Sequence, residues 1–167
     1  MKTWNVMKCV STWDGFPVMI ETKRLCVRPF ECSDVSDLYA ILSDPEVMRY
    51  IEAPFTYEKT ERFLKEYALC ESPLVYAVIE KQTEKLIGHL IFHPFDEQAY
   101  ELGWILSEES WHRGYAKELT QAVIQYASQK KIPSLVIECD PRQTITKHIA
   151  VSFGFRETEK TVYVLTL

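Results

Sequence analysis

The first half of the chain changes its hydrophobic period, which predicts one strand followed by helices. Residues 24–29 (RLCVRP) alternate apolar and polar side chains, as a half-buried strand does. From 33 to 43 the apolar residues instead recur three and four positions apart, which predicts a helix with Ser33 as its N-cap. A short helix is expected over 46–50, and a longer helix is expected over 56–70 with its first residue as the cap.

The middle of the chain has the pattern of an antiparallel meander. Three runs rich in Ile, Leu, Val and aromatic residues cover 74–80, 86–92 and 100–106. Polar turns at 81–85 and 96–98 separate these runs, and connections this short join antiparallel neighbours. We therefore expect three consecutive strands that are hydrogen-bonded in chain order.

The last third alternates helices with strands. A helix is expected over 116–130, a strand over 135–139, a second helix over 143–153, and one or two strands after residue 156. A strand, a helix and a strand in succession form a parallel crossover, so the predicted fold class is α+β with one parallel pair. Ligands bind such crossovers at the carboxyl ends of the strands, so we expect the site after the strand at 100–106.

The first 18 residues differ from the rest, and we treat 1–18 as an N-terminal appendage to a single domain over 19–167. The appendage mixes polar and aromatic residues, and Asp14-Gly15 marks a turn. It could pair as an extra edge strand or lie loosely on the surface, and the pattern does not choose between the two. Polar residues such as Lys8 interrupt its apolar positions, so it lacks the continuous apolar core of a signal peptide.

Composition narrows the classes of function. The 167 residues suit one domain, with 47% hydrophobic and 26% charged residues as in an ordinary globular protein. The net charge of -5 provides no general basic field, so we expect no nucleic-acid partner. No apolar run approaches the ~20 residues of a membrane span. The five cysteines include no C-x-x-C pair, which favours reduced thiols. Together these features predict a cytoplasmic protein without a membrane partner.

The connection between the strand at 100–106 and the helix at 116–130 carries the candidate chemistry. The first turn of a helix exposes unpaired N–H groups at the positive end of the helix dipole. Gly114 lacks a Cβ and Ala116 is small, so an anion can approach the main chain as in a pyrophosphate cradle. The P-loop and G-x-G-x-x-G patterns are absent, which disfavours the corresponding nucleotide sites. Such a loop also occurs as a plain connection, so alone it leaves phosphate binding open.

The stretch ELGWILSEESWHRGYAKELTQAVIQYA resembles motif A of the GNAT acetyltransferases, and within them the RimJ/RimL-type branch that acetylates ribosomal-protein N-termini. The matching positions are Glu101, Gly103, Trp104, Glu108, Trp111, Gly114, Tyr115 and Ala116. Residues 19–25, followed by Arg28-Pro29-Phe30, match the sequence with which proteins of this family begin. Phe153-Gly154-Phe155, followed by Glu157, matches the second motif of the family. The resemblance implies the GNAT fold, a mixed, mostly antiparallel sheet of about six or seven strands flanked by about four helices.

The resemblance also implies acetyl-CoA as the cofactor and coenzyme A as the product. Backbone N–H groups from His112 to Lys117 would hold the pyrophosphate, and residues 104–106 would bond the pantetheine arm as a further strand does. The N–H of Leu106, left free by a bulge or a splay of the strands, would polarise the thioester carbonyl. The cofactor-binding residues expected on this basis are Trp104, Leu106, His112, Arg113, Gly114, Tyr115, Ala116, Lys117 and Gln143.

The resemblance further implies a base for the amine and an acid for the leaving thiolate. Glu101 is the expected base, acting through one water, and Thr146 is the expected acid. The family often has Asn-x-x-Ser where this chain has Gln143-Thr-Ile-Thr146. The amide is therefore kept, on the longer side chain of Gln143, and the hydroxyl is kept on Thr146. Tyr163 is an alternative acid. Cys139 could form an acetyl-enzyme, with a buried inert thiol as the alternative.

The acceptor is expected to be a primary amine. An α-amino group has a pKa of ~8 and a lysine side chain one of ~10.4, so deprotonating the α-amine costs about 3 kcal/mol less. This favours a protein or peptide N-terminus. A small amine such as a polyamine or an antibiotic, and a non-catalytic CoA-binding module, are the alternatives. Assembly as a monomer or as a homodimer stays open.

We expect no metal site. His89 and His93 lie in one predicted strand, where a spacing of four residues separates them by ~13 Å. His112 lies in the glycine loop and is a candidate phosphate contact, whereas His148 is expected on a helix surface. The aromatic residues near the early helices line the acceptor groove in the family or pack in the core; they are Tyr50, Phe55, Tyr57 and Tyr67.

Overall fold

A twisted sheet runs through the computed structural model, which describes residues 12–13, 16–17, 19–159 and 161–167. The strands are β1 (Thr12–Trp13), β2 (Phe16–Pro17), β3 (Ile20–Glu21), β4 (Leu25–Arg28), β5 (Val75–Glu80), β6 (Lys85–Pro94), β7 (Ala99–Leu106), β8 (Ser134–Glu138), β9 (Arg156–Glu159) and β10 (Val162–Thr166). The α-helices are α1 (Val35–Leu42), α2 (Pro45–Met48), α3 (Tyr57–Phe63), α4 (Tyr115–Gln129) and α5 (Thr144–Ser152). A π-helical turn over 64–68 extends α3, and 3-10 turns cover 32–34 and 108–110.

The main sheet has the spatial order β3-β4-β5-β6-β7-β8-β10-β9, and only β7 and β8 are parallel. This confirms the predicted α+β class, the meander and the single parallel crossover. The described residues form eight main-sheet strands and five α-helices, more than the expected six or seven strands and four helices. Part of the excess is β3, where the two residues Ile20 and Glu21 pair with β4 and are too few to produce a period.

Helices cover both faces of the sheet. On one face α4 and α5 pack through residues such as Leu119 and Ala150 against Leu102 and Leu106 of β7. On the other face α1, α2 and α3 lie over a second core, against which Ile105 packs. Side chains alternate along a strand, so Glu101 shares the face of Ile105 and looks toward α1–α3. None of the helices in the described ranges is long and apolar enough to span a membrane.

The starts of the early helices follow their caps. Thr56 caps α3 as predicted, because its hydroxyl accepts from the Lys59 N–H at 3.2 Å. The expected Ser33 cap is wrong. Asp34 instead accepts from the Glu31 N–H at 2.8 Å, and a 3-10 turn precedes α1. Asp34 is also held by the Arg28 guanidinium at 2.8 Å, a contact over six residues that the helical period does not reveal.

The described part of the appendage is a small hairpin. β1 pairs antiparallel with β2 and the two form a sheet of their own, so these four residues do not extend the main sheet as an edge strand. The predicted turn at Asp14-Gly15 and the other positions of 1–18 lie outside the described residues.

Candidate functional site

The two parallel strands part at the centre of the sheet. β7 and β8 pair at only three positions, the last being Glu101 with Val136. Beyond that point β7 stays paired with β6 as far as Leu106, and β8 stays paired with β10 as far as Glu138. The edge of β7 from 102 to 106 therefore faces a gap, with Glu101 at its closed end.

Backbone N–H groups of β7 point into this gap. The Ser107 N–H donates to the Ile87 carbonyl at 2.8 Å, which fixes the phase of the β6–β7 ladder. Because donors alternate in an antiparallel pair, the N–H groups of Trp104 and Leu106 point away from β6. The Leu106 carbonyl accepts from the Trp111 indole at 2.9 Å, in agreement with this direction. An extended chain entering the gap can therefore bond β7 as another strand would.

The gap leads to the start of α4. Gly114 has a φ of 80°, in the left-handed region that favours glycine, and α4 begins at the next residue. The first helical hydrogen bond runs from the Glu118 N–H to the Gly114 carbonyl at 3.1 Å. The three preceding N–H groups of α4, over 115–117, thus have no partner within the helix. A Cβ on Gly114 would come within 4 Å of the Arg24 guanidinium alone, at 3.5 Å, so the main chain is open to an anion.

Arg24 and Glu118 hold this loop against the edge of the sheet. The Arg24 Nε is 2.6 Å from Glu118 Oε2, and its Nη1 donates to the Arg113 carbonyl at 2.8 Å. The Thr22 hydroxyl donates to the same Glu118 carboxylate at 2.6 Å. Burial alone would raise the pKa of Glu118, but the hydrogen bonds from Thr22 and Arg24 lower it. The loop is thereby fixed by a carboxylate that stays ionised.

A second carboxylate, Glu80, lies beneath the loop with its side chain 5% exposed. Its Oε2 accepts from Thr83 at 2.6 Å, and its Oε1 accepts from the Tyr115 hydroxyl and lies 2.8 Å from Arg113 Nη2. The hydrogen bonds from Thr83 and Tyr115, and then the charge of Arg113, lower the pKa of Glu80 against the effect of burial. The positive charge of Arg113 in the loop is therefore partly neutralised by the buried carboxylate of Glu80.

Glu101 at the closed end of the gap is paired across the β6–β7 hairpin. Its Oε2 lies 3.1 Å from Nε2 of His93, the residue directly opposite. Burial raises the pKa of Glu101, the charge of His93 opposes this, and Glu138 on β8 adds to it. A carboxylate with a raised pKa is a stronger base than a solvated one.

The start of α5 follows β8, the strand on the other side of the gap. Gln143 immediately precedes α5, and its Oε1 accepts from the Asp140 N–H at 2.8 Å, which leaves its NH₂ group as the donor. Thr146 lies half-buried in the first turn of α5. Tyr163 is buried, and Lys147 lies within hydrogen-bonding reach of its hydroxyl. Burial raises the pKa of the Cys139 thiol, which disfavours a nucleophilic thiolate.

A groove of about 450 Å³ lies along α3, on the same side of the sheet as Glu101. The lining residues are Glu52, Phe55, Lys59, Arg62, Phe63, Glu66 and Tyr67. Of the aromatic residues singled out in the sequence, Phe55 is buried in the core, whereas Tyr57 and Tyr67 are exposed. Tyr50 contacts the Arg142 guanidinium at 5.0 Å from its ring centroid. Within the described ranges no cluster of His, Cys, Asp and Glu side chains could hold a metal ion.

The structure brings the residues predicted from the loop to one edge and the expected base to the closed end of the gap. Three contacts were not predicted from the sequence: His93 with Glu101, Glu80 with the loop, and Arg24 with Glu118. His93 had a signal, because it and Glu101 are equally distant from the centre of the predicted turn at 96–98 and must face each other in a regular hairpin. The other contacts join residues that are far apart in the chain, and no local spacing indicates them.

Known proteins share this architecture. A family model described as an acetyltransferase (GNAT) domain matches residues 24–156. YnaD of Bacillus subtilis (strain 168), named an uncharacterized N-acetyltransferase, is 32% identical over 140 residues, which cover 82% of this chain and 82% of YnaD. A GNAT-family acetyltransferase from Bacillus anthracis has a TM-score of 0.80 at 27% identity, covering 88% of this chain and 97% of its own. Ribosomal-protein-S5-alanine acetyltransferase from Vibrio fischeri shares the fold, with a TM-score of 0.69 at 16% identity over 87% of this chain and 94% of its own.

Proposed function

The chain belongs to the GNAT acetyltransferase family and uses acetyl-CoA as the acetyl donor, and on that premise we propose that it acetylates the α-amino group of a protein or peptide. The observation that carries this proposal is the position of Glu101 where β7 and β8 part. A base with a raised pKa there lies on the same side of the sheet as the groove along α3, whereas the open helix start lies at the other end of the gap.

The residues of the gap and of the loop fit acetyl-CoA. The N–H groups over 115–117 and the bare main chain at Gly114 would hold the pyrophosphate, with His112 and Lys117 exposed beside them. The N–H groups of Trp104 and Leu106 would bond the pantetheine arm. When bound, acetyl-CoA supplies the acetyl group as a thioester, which an uncharged amine can attack. In this proposal Arg113 contributes mainly through its ion pair with Glu80, which anchors the loop.

Glu101 removes the proton that keeps the acceptor amine from attacking. Its raised pKa brings its proton affinity closer to that of an α-amine with a pKa of ~8, whereas a lysine at ~10.4 would need a much stronger base. Activity therefore falls as the pH falls through the raised pKa of Glu101, because the carboxyl is then protonated. Thr146, half-buried at the start of α5, is the residue we propose to return a proton to the departing sulfur.

Two observations favour a protein or peptide acceptor. The groove along α3 lies on the same side of the sheet as Glu101, and it is lined by aromatic residues and by charges of both signs, as a peptide backbone with mixed side chains would require. The motifs of the chain also resemble the RimJ/RimL-type branch, and the Vibrio fischeri protein that shares the fold is named for a ribosomal-protein alanine.

An acetylation panel tests the proposal. Wild type and Glu101→Gln are incubated with acetyl-CoA and with three acceptors: peptides with a free N-terminus, the same peptides with a blocked N-terminus and an internal lysine, and polyamines. Mass spectrometry should show acetylation of the free N-termini alone. Glu101→Gln should lower kcat about 100-fold and change the acetyl-CoA Kd by less than about twofold, since it removes only the base. Acetylation of polyamines alone would overturn the acceptor class.

A further inference from the structure

The β6–β7 hairpin places an imidazole against the base of the proposed reaction. His93 lies directly opposite Glu101, and the contact between Nε2 and Oε2 is 3.1 Å. The two side chains are 21% and 23% exposed, so they meet largely away from water. The contact therefore joins an imidazole nitrogen and a carboxylate oxygen, either of which can hold a proton.

The second ring nitrogen determines where the imidazole carries its hydrogen. Nδ1 lies 2.9 Å from the Pro94 carbonyl oxygen. A carbonyl oxygen only accepts, so Nδ1 must be the donor. Nε2 of the neutral ring is then a lone pair that faces a carboxylate oxygen. The contact is satisfied when one proton lies between the two atoms, and that proton belongs to the pair rather than to either group.

We propose that His93 and Glu101 act as one base, a dyad that takes up a single proton between Nε2 and Oε2 from the acceptor amine. This rests on the proposed function and adds a second residue to its base. The acceptor ammonium breaks one N–H bond, its electron pair stays on nitrogen as the attacking lone pair, and the proton passes to the dyad. After the acetylated product leaves, the dyad returns the proton to solvent through its exposed side.

The surrounding charges favour this uptake. Glu138 on β8 is the other charged group that acts on Glu101, and its negative charge favours the protonated pair. A dyad that gains a hydrogen bond with its proton accepts that proton at a higher pH than a lone carboxylate does. The charge of a protonated His93 by itself lowers the pKa of Glu101, but the pair as a whole holds a proton that a lone carboxylate would release, as general base catalysis of an α-amine requires.

Spectroscopy on the protein without an acceptor tests the shared proton. In wild type, the carboxyl carbon of Glu101 and the ring nitrogens of His93 should titrate with a common midpoint in ¹³C and ¹⁵N NMR. The signals are identified by their loss in Glu101→Gln and in His93→Gln. Each substitution should move the midpoint of the remaining partner by about one pH unit. Independent midpoints that neither substitution moves would overturn the dyad, whichever amine the enzyme acetylates.

The pH dependence of the rate tests the catalytic part. Glutamine at 93 keeps an N–H donor for Oε2 but takes up no proton. His93→Gln should lower kcat/KM about tenfold at pH 8, and the deficit should shrink as the pH falls, because the remaining carboxylate works at lower pH than the dyad. His148→Gln, on the exposed surface of α5, is the matched control and should match wild type. A deficit of His93→Gln that is equal at every pH would indicate a structural role and would overturn the proposal.

Discussion

At the scale of single residues, two carboxylates with opposite pKa shifts define the site. Glu101 is pushed toward the protonated form by burial, although His93 opposes this. Glu80 is more fully buried, with its side chain 5% exposed against 23% for Glu101, yet hydrogen bonds from Thr83 and Tyr115 keep it ionised. The difference lies in the partners, because Glu80 has donors on both oxygens and Glu101 has one. The first group is suited to receive a proton and the second is suited to fix the loop.

The anchoring role of Glu80 leads to a prediction about stability. Its folded pKa is lowered, so its carboxylate stabilises the fold above the unfolded value of ~4.3, and this contribution is lost as the pH falls through the folded value. Glu80→Gln should reduce the free energy of unfolding by about 1–3 kcal/mol at pH 7. Urea denaturation should show the deficit shrinking below about pH 4. The exposed neighbour Glu84, changed to Gln, is the control. A deficit that stays constant with pH would contradict an ionised Glu80.

At the scale of elements, the left-handed turn at Gly114 joins a parting strand to an open helix start. Gly114 has a φ of 80°, and Gly154, which follows α5, has a similar φ of 90°. The two positions therefore impose a similar backbone cost on any other residue. Only Gly114 lies at the start of α4, where an added Cβ would lie 3.5 Å from the Arg24 guanidinium and otherwise meet open space.

This pair of glycines provides a matched test. Gly114→Val should raise the acetyl-CoA Kd at least about tenfold, because a β-branched side chain covers the approach to the helix start. Gly154→Val should lose comparable stability by thermal denaturation and keep the wild-type Kd, as measured by isothermal titration calorimetry. Equal losses of affinity in both variants would mean that backbone strain, and not access to the loop, is responsible.

The elements also show what local patterns can and cannot predict. The helix expected over 116–130 and the meander strands are found within about two residues, because their apolar periods reflect the faces that they bury. Ser33 is not the cap, because Asp34, which is paired with Arg28, accepts the hydrogen bond of the turn from the Glu31 N–H. β3 was missed because its two residues are defined only by pairing with β4.

At the scale of the whole molecule, the fold class and the family follow from the order of motifs along the chain, and the model of the acetyltransferase (GNAT) domain covers residues 24–156. The architecture of the site depends on contacts between distant segments. Thr22 and Glu118 are 96 residues apart, and Glu80 and Tyr115 are 35 apart. Local residue spacing in the sequence therefore does not indicate these two hydrogen bonds. The positions of the loop and of Glu101 in the fold were predictable, whereas the contacts that hold them in place required the fold.

The central claim is that the gap between β7 and β8, with the start of α4, holds acetyl-CoA. A crystal structure with coenzyme A tests it most directly. We predict the pyrophosphate within hydrogen-bonding distance of the N–H groups over 115–117, and the pantetheine arm along β7 at Trp104 and Leu106. Coenzyme A bound at another surface, with the gap and the helix start contacting none of it, would contradict the account.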